Sequence, residues 1–158
     1  NNENAKIMVI GGFSEKENEK IKIFTKESEQ LLSKMIAAIN LNNKDVYFAN
    51  IIPWSINFKI NIENKDILNF LPFIQRQIEI INPTLILLLG SLASRAILNS
   101  NLDFNKIRGK WYSYKSINLS QPIECLATYH PKKLIELPKM KKYAWEDLKI
   151  FQKRLNEN

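Results

Sequence analysis

Four short apolar runs constrain what this chain can fold into. Residues 6–10, 46–52, 85–89 and 123–128 are rich in β-branched side chains or continuously apolar, as expected of strands covered on both faces of a sheet. Helical patterns lie between them. Leu31, Leu32, Met35, Ile36 and Ile39 recur at helical spacing, as do Ile67, Leu71, Ile74, Ile78 and Ile81, with Asn64 placed to cap the second helix. Gly90-Ser91 turns the third strand into a short helix over 92–98, with Ser91 as its cap. Pro138 is placed to begin a final helix that carries Ala144, Leu148, Phe151 and Leu155 on one face. Strand and helix alternating four times predict an α/β fold, a three-layer α/β/α sandwich around a four-stranded parallel sheet. No repeat or linker interrupts the pattern, so residues 1–158 are expected to form a single domain.

Ligands of open α/β sheets bind beyond the carboxyl ends of the strands. Those ends are Gly11-Gly12-Phe13, residues 50–54, Gly90-Ser91 and Tyr129-His130-Pro131. His130 is the only histidine, and Pro131 holds it extended because a proline ring clashes with a helical predecessor. A lone His-Pro is as readily a loop histidine bonded to the backbone as a functional group. Its meaning depends on what gathers around it. The Gly-Gly pair is not a nucleotide-phosphate loop: G-x-G-x-x-G spacing is missing and no lysine follows at Walker spacing.

The formal net charge is +7, which favours a polyanionic partner, nucleic acid ahead of a membrane surface. A merely solvated basic surface is the competing reading. Local clusters occur at Lys132-Lys133 and at Lys139, Lys141 and Lys142. Cys125 is the only cysteine and lies inside an apolar run, so it reads as a buried, inert thiol, and no metal site is expected. No apolar stretch approaches membrane-spanning length and no signal peptide is visible, so a cytoplasmic protein is expected.

Together, the strand ends resemble those of the family 4 uracil-DNA glycosylases, within the uracil-DNA glycosylase superfamily. The likeness runs over nearly the whole chain. It is carried by residues 45–54, by residues 85–90 with Ala93, and by Arg108-Gly109-Lys110-Trp111. It is clearest in the ending, His130-Pro131, Leu134-Ile135, Pro138, Lys141 and Ala144-Trp145-Glu146-Asp147-Leu148. The resemblance implies a DNA repair hydrolase that flips uracil out of the stack and cuts its N-glycosidic bond. It assigns His130 the charge developing on the departing base, Asn50 the polar edge of uracil, and Phe24 the stacking surface. Gly11 and Phe13 would line the substrate site beside Gly12. Lys132, Lys133 and Arg108 would meet DNA, and Leu134 would act as the apolar wedge of a loop that enters the minor groove. DNA with a flipped base is the implied partner, and a monomer the expected state.

The departures from the family are specific. Gly12 stands where the resemblance places a catalytic glutamate that directs water, and glycine cannot do that work. Glu15, Glu17 and Glu19 are the nearby carboxylates. Lys26 and Glu29 replace glycines around Phe24, Lys132 replaces a small residue and Glu136 an arginine. The family usually holds an iron–sulfur cluster with four cysteines. Two of those positions correspond to Trp54 and Phe70, and the others would lie near or upstream of Asn1, so no cofactor is expected. Two functions follow: uracil excision with reduced activity, or a glycosylase-like DNA- or protein-binding module that has lost catalysis.

Overall fold

The computed structural model describes residues 2–17, 20–55 and 64–157. Six strands form its sheet: β1 (Ile7–Glu17), β2 (Lys20–Lys22), β3 (Val46–Ser55), β4 (Leu85–Leu89), β5 (Trp111–Tyr114) and β6 (Ile123–Thr128). β3, β1, β4 and β6 lie side by side and parallel, which is the predicted four-stranded core. The sheet is larger than predicted. β5 joins the β6 edge antiparallel, and β2 turns back on the far end of β1. The first strand also continues past Ile10, because β3 keeps pairing with it: Gly11 opposes Asn50 and Phe13 opposes Ile52 before the register slips between Phe13 and Ser14.

The helices are α1 (Lys26–Ala38), α2 (Asn64–Ile81), α3 (Gly90–Leu98), α4 (Phe104–Ile107), α5 (Pro131–Glu136) and α6 (Lys141–Leu155). Side chains alternate across a strand, so the sheet buries two faces. Met8, Ile10, Ile86, Leu88 and Ala127 pack with Ile74 and Ile78 of α2 and Ala93 and Ile97 of α3. Ile7, Val9, Leu85, Leu87 and Leu126 pack with Leu32 and Ile36 of α1 and Leu148 and Phe151 of α6. Three layers result, as predicted.

Three local expectations need correction. α3 starts at Gly90, so Ser91 lies inside the helix rather than capping it. Pro138 begins a short 3₁₀ turn (Pro138–Met140), and α6 follows it. The segment after His130 is a helix, not a loop. Pro131 occupies the first helical position, where its fixed φ suits a helix start, and extended His130 (φ −66°, ψ 139°) is the cap. The side chain of Asn64 lies outside the described residues.

The topology places the site. From β1 the chain passes through α1 to β3 on one side. α2 then carries it back across β1 to β4, and β6 follows on the other side. The direction of winding therefore reverses between β1 and β4, where an open sheet leaves a crevice at its carboxyl edge.

Candidate active site

A pocket of about 540 Å³ opens at that reversal. Its walls are Gly12 and Phe13 of β1, Leu89 at the end of β4, the first turn of α3, and Tyr129 and His130 beyond β6. Lys132, Lys133 and Glu136 of α5 form the polar side, with Asn105 of α4 opposite. Gly90 lets the strand end come close to the histidine. Its φ is +84°, and a Cβ there would sit 3.3 Å from the His130 Cβ.

His130 is oriented by its own helix. The Lys132 backbone N–H donates to His130 Nδ1 at 3.2 Å. A nitrogen that accepts a hydrogen bond carries no proton, so the neutral ring holds its hydrogen on Nε2. Nearby, the Tyr129 hydroxyl donates to Asn105 Oδ1 at 3.0 Å, which leaves the Asn105 amide hydrogens as further donors at the pocket wall.

Asn50, Gly11 and Phe24 form a second, buried group beside the pocket. Asn50 Nδ2 donates to the Ile23 carbonyl at 2.9 Å and to Ser14 Oγ at 3.2 Å. Its Oδ1 is buried and has no hydrogen-bond partner among the described residues. Gly11 makes this packing possible: a Cβ there would lie 2.2 Å from Asn50 Oδ1 and 3.3 Å from Phe24 Cε1. Phe24 is 6% exposed. Its ring centroid lies 5.6 Å from that of His130, tilted 42°, and it meets Phe48 edge-on. Phe24 thus links the two groups, although neither it nor Asn50 lines the pocket.

Gly12 points the other way from Gly11, as strand alternation requires. A Cβ at Gly12 would meet Leu92 Cβ at 3.3 Å and Cδ2 at 3.5 Å. Leu92 of α3 therefore packs directly against position 12. Glu136 is the one carboxylate among the described residues that line the pocket, and Lys133 Nζ lies 3.9 Å from it. The side chains of Glu15, Glu17, Glu19 and Trp54 lie outside the described residues.

Two residues assigned to DNA are structural. Leu134 is 1% exposed, in the core with Leu148 and Phe151. As the inner face of α5 it is a packing residue, since a wedge must project from the surface. Arg108 is clamped internally. Its Nη2 donates to Asp147 Oδ1 at 2.6 Å and to the Tyr143 carbonyl at 2.7 Å, and its Nε donates to Asp147 Oδ2 at 3.1 Å. Its guanidinium also lies over the Tyr129 and Tyr143 rings. Three of its five N–H donors are thus spent inside the protein, which gives Arg108 a structural role.

Sequence reasoning missed the partner that explains this clamp. Asp147, 1% exposed, also accepts from the Thr128 hydroxyl at 2.8 Å. It therefore ties the end of β6, two residues before His130, to α6. Burial pushes its carboxyl up to about 6, against the opposing pull of the Thr128 hydroxyl and Arg108. Gly109 (φ +69°) leaves the room, since a Cβ there would fall 2.5 Å from Asp147 Oδ1. The only sequence signal was the recurrence of Arg108-Gly109 and Asp147 in one family likeness.

The donor set does not fit an iron–sulfur cluster. Cys125 is the chain's one cysteine. It is fully buried in β6, with burial pushing the thiol up to about 12, and thiolates are what such clusters need. Phe70, at one ligand position of the family pattern, packs against the core formed by α2, α3 and the sheet. Among the described residues no group of His, Cys, Asp and Glu is arranged to hold a metal ion, and no helix is long and apolar enough to cross a membrane.

The family model of the Uracil DNA glycosylase superfamily matches residues 1–149. The chain is similar to the type-4 uracil-DNA glycosylase of Saccharolobus solfataricus, at 30% identity over 162 aligned positions, covering 98% of this chain and 74% of that protein. It is 26% identical to the type-4 enzyme of Archaeoglobus fulgidus, covering 94% of this chain and 76% of the relative. The corresponding protein of Sulfurisphaera tokodaii is 30% identical, with 92% and 68% covered.

Proposed function

The chain belongs to the uracil-DNA glycosylase superfamily, and from that premise we propose that it is a DNA repair hydrolase. It binds DNA and hydrolyses the N-glycosidic bond of a uracil turned out of the stack, with reduced activity. The observation that carries this reading is the fixed orientation of His130, whose Nδ1 is occupied by a backbone N–H at the mouth of the pocket. When the C1′–N1 bond breaks, its electron pair moves onto the base and negative charge grows on the uracil oxygen. A preorganised Nε2–H stabilises that charge, a contribution of roughly 10²–10³ in rate for one such donor. Water then adds at C1′ and releases a proton.

Asn50 supports the same reading. Among the described residues its Oδ1 has no donor, a costly arrangement in a buried site; it lies behind the pocket wall rather than on it, so the base has to pass that wall for its imide N–H to supply one. Lys132 and Lys133 at the pocket rim suit the phosphates that flank a flipped nucleotide. Activity is reduced because position 12 offers no carboxylate to orient the water. General-base help of that kind contributes typically 10²–10⁴ in rate.

The glycosylase-like module without catalysis remains the second reading, favoured by the missing carboxylate at Gly12 and by Leu92 packed directly against that position. Oligonucleotides carrying one uracil, single- and double-stranded, separate the two. Incubation at enzyme excess followed by alkali should cleave at the uracil position. Salt-sensitive DNA binding with no cleavage would instead establish the binding module.

A further inference from the structure

We propose that the exposed face of α6 is a second nucleic-acid contact, which takes single-stranded DNA leaving the pocket and stacks one unpaired base on Trp145. The inference rests on the nucleic-acid part of the function proposed above. α6 follows directly on Met140, which lines the pocket. Its inner face is sealed in the core by Ala144, Leu148 and Phe151. Its outer face presents Lys141, Lys142, Trp145, Lys149 and Lys153, all exposed. At 100° per residue these five fall within roughly a third of the helix circumference.

Trp145 is 43% exposed although it is the largest apolar side chain on the helix. Lys142 Nζ lies over the neighbouring Tyr143 ring. Among the described residues, Lys141, Lys149 and Lys153 make no ion pair. Glu146 borders the stripe and lies 3.9 Å from Arg108. Lys141 and Lys142 crowd the positive end of the helix dipole, an arrangement that an approaching polyanion relieves.

An aromatic ring among spaced ammonium groups is the chemistry of single-strand binding: every base has a face to stack, and the lysines follow the backbone. From Lys141 to Lys153 the helix rises about 18 Å, room for roughly three to five phosphates spaced 3.4 Å or more along a strand. A membrane surface fits less well, because an interfacial helix needs a broad free apolar face, and here that face is already buried against the sheet.

The test uses the full chain and a fluorescent 20-residue oligothymidylate, which contains no uracil. Trp145→Ala should weaken binding about tenfold, and Lys149→Glu with Lys153→Glu should lower the salt slope of log K by about 1.4, two contacts at 0.7 each. All positions are exposed, and matching urea midpoints establish that the variants fold. Wild-type affinity and salt slope in both variants would overturn the proposal. So would anionic-vesicle binding that depends on Trp145 while oligothymidylate binding does not. Trp145-dependent binding without uracil excision leaves this surface standing and removes the catalytic reading. Excision with Trp145-independent binding does the reverse.

Discussion

Restoring a carboxylate at position 12 tests why this site should be slow. Gly12→Glu alone places its Cβ 3.3 Å from Leu92 Cβ, which must give by a few tenths of an ångström, and 3.5 Å from Cδ2, in ordinary contact, so Leu92 crowds the new side chain at the pocket wall. Leu92→Ala removes Cγ and both Cδ atoms and leaves a Cβ contact that shifts of a few tenths of an ångström relieve. Leu92 is only half-buried, so its loss should cost about 1–2 kcal/mol, below the 2–5 kcal/mol of a fully buried leucine. The rate gain has a larger scale: a well-placed general base supplies roughly 10²-fold or more. The assay is single-turnover release of uracil from a single-stranded oligonucleotide, measured for wild type, each single variant and the double variant. Gly12→Glu should gain little alone. The pair should gain roughly 10²-fold over Leu92→Ala, a strongly positive coupling of the kind that neighbours sharing space produce. If the pair, with its urea midpoint showing it folded, is no faster than Leu92→Ala, position 12 does not face the attacking water and the reasoning fails.

Gly11→Ala should displace the Asn50 amide, because the added methyl would lie 2.2 Å from Oδ1. Losing its two buried hydrogen bonds should cost about 2–3 kcal/mol, read from the urea midpoint. Asp147→Ala should be more damaging, about 3–5 kcal/mol, because it strands the largely buried Arg108 charge. Burial raises the Asp147 carboxyl to about 6 from an ordinary 3.8, so protonation favours the folded state. Its stabilising increment is fully present below pH 3.8 and is lost as pH rises through 6, with a slope of at most about 1.4 kcal/mol per pH unit. Comparing urea midpoints of wild type and Asp147→Asn between pH 4.5 and 7 isolates that slope, which the asparagine variant should lack.

The sheet was legible where the physics is local. Residues 85–89 and 123–128 are continuous apolar runs, and nothing but a buried strand suits such short stretches between helical patterns. β5 escaped because Trp111–Tyr114 is an edge strand of four residues, three of them at least partly exposed, with no clean alternation. The extension of β1 escaped because Gly11-Gly12 reads locally as a turn, whereas pairing with β3, some forty residues away, holds it straight. α5 was hidden by its own signal. His-Pro marks the end of a strand, but proline at the first helical position also begins a helix. That helix buries Leu134 instead of exposing it.

The site divides in the same way. Residue types at strand ends located His130, Gly12 and Phe13 at the pocket, and the His130 orientation follows from the local backbone. The Arg108–Asp147 clamp spans 39 positions, and no local pattern distinguishes an arginine bound internally from one facing a phosphate. Leu92 at position 12 is likewise a contact between β1 and α3 that only packing brings about.

The most direct test is chromatographic detection of free uracil released from a uracil-containing single strand by wild type, His130→Ala and Asn50→Ala, each at enzyme excess. Wild type should release uracil, and the His130 variant should lose roughly 10²-fold or more, in keeping with one preorganised donor. Asn50→Ala should lose most of its activity as well. Release at wild-type rates from both variants would show that the base leaves without help from His130 or Asn50, and that the site lies elsewhere.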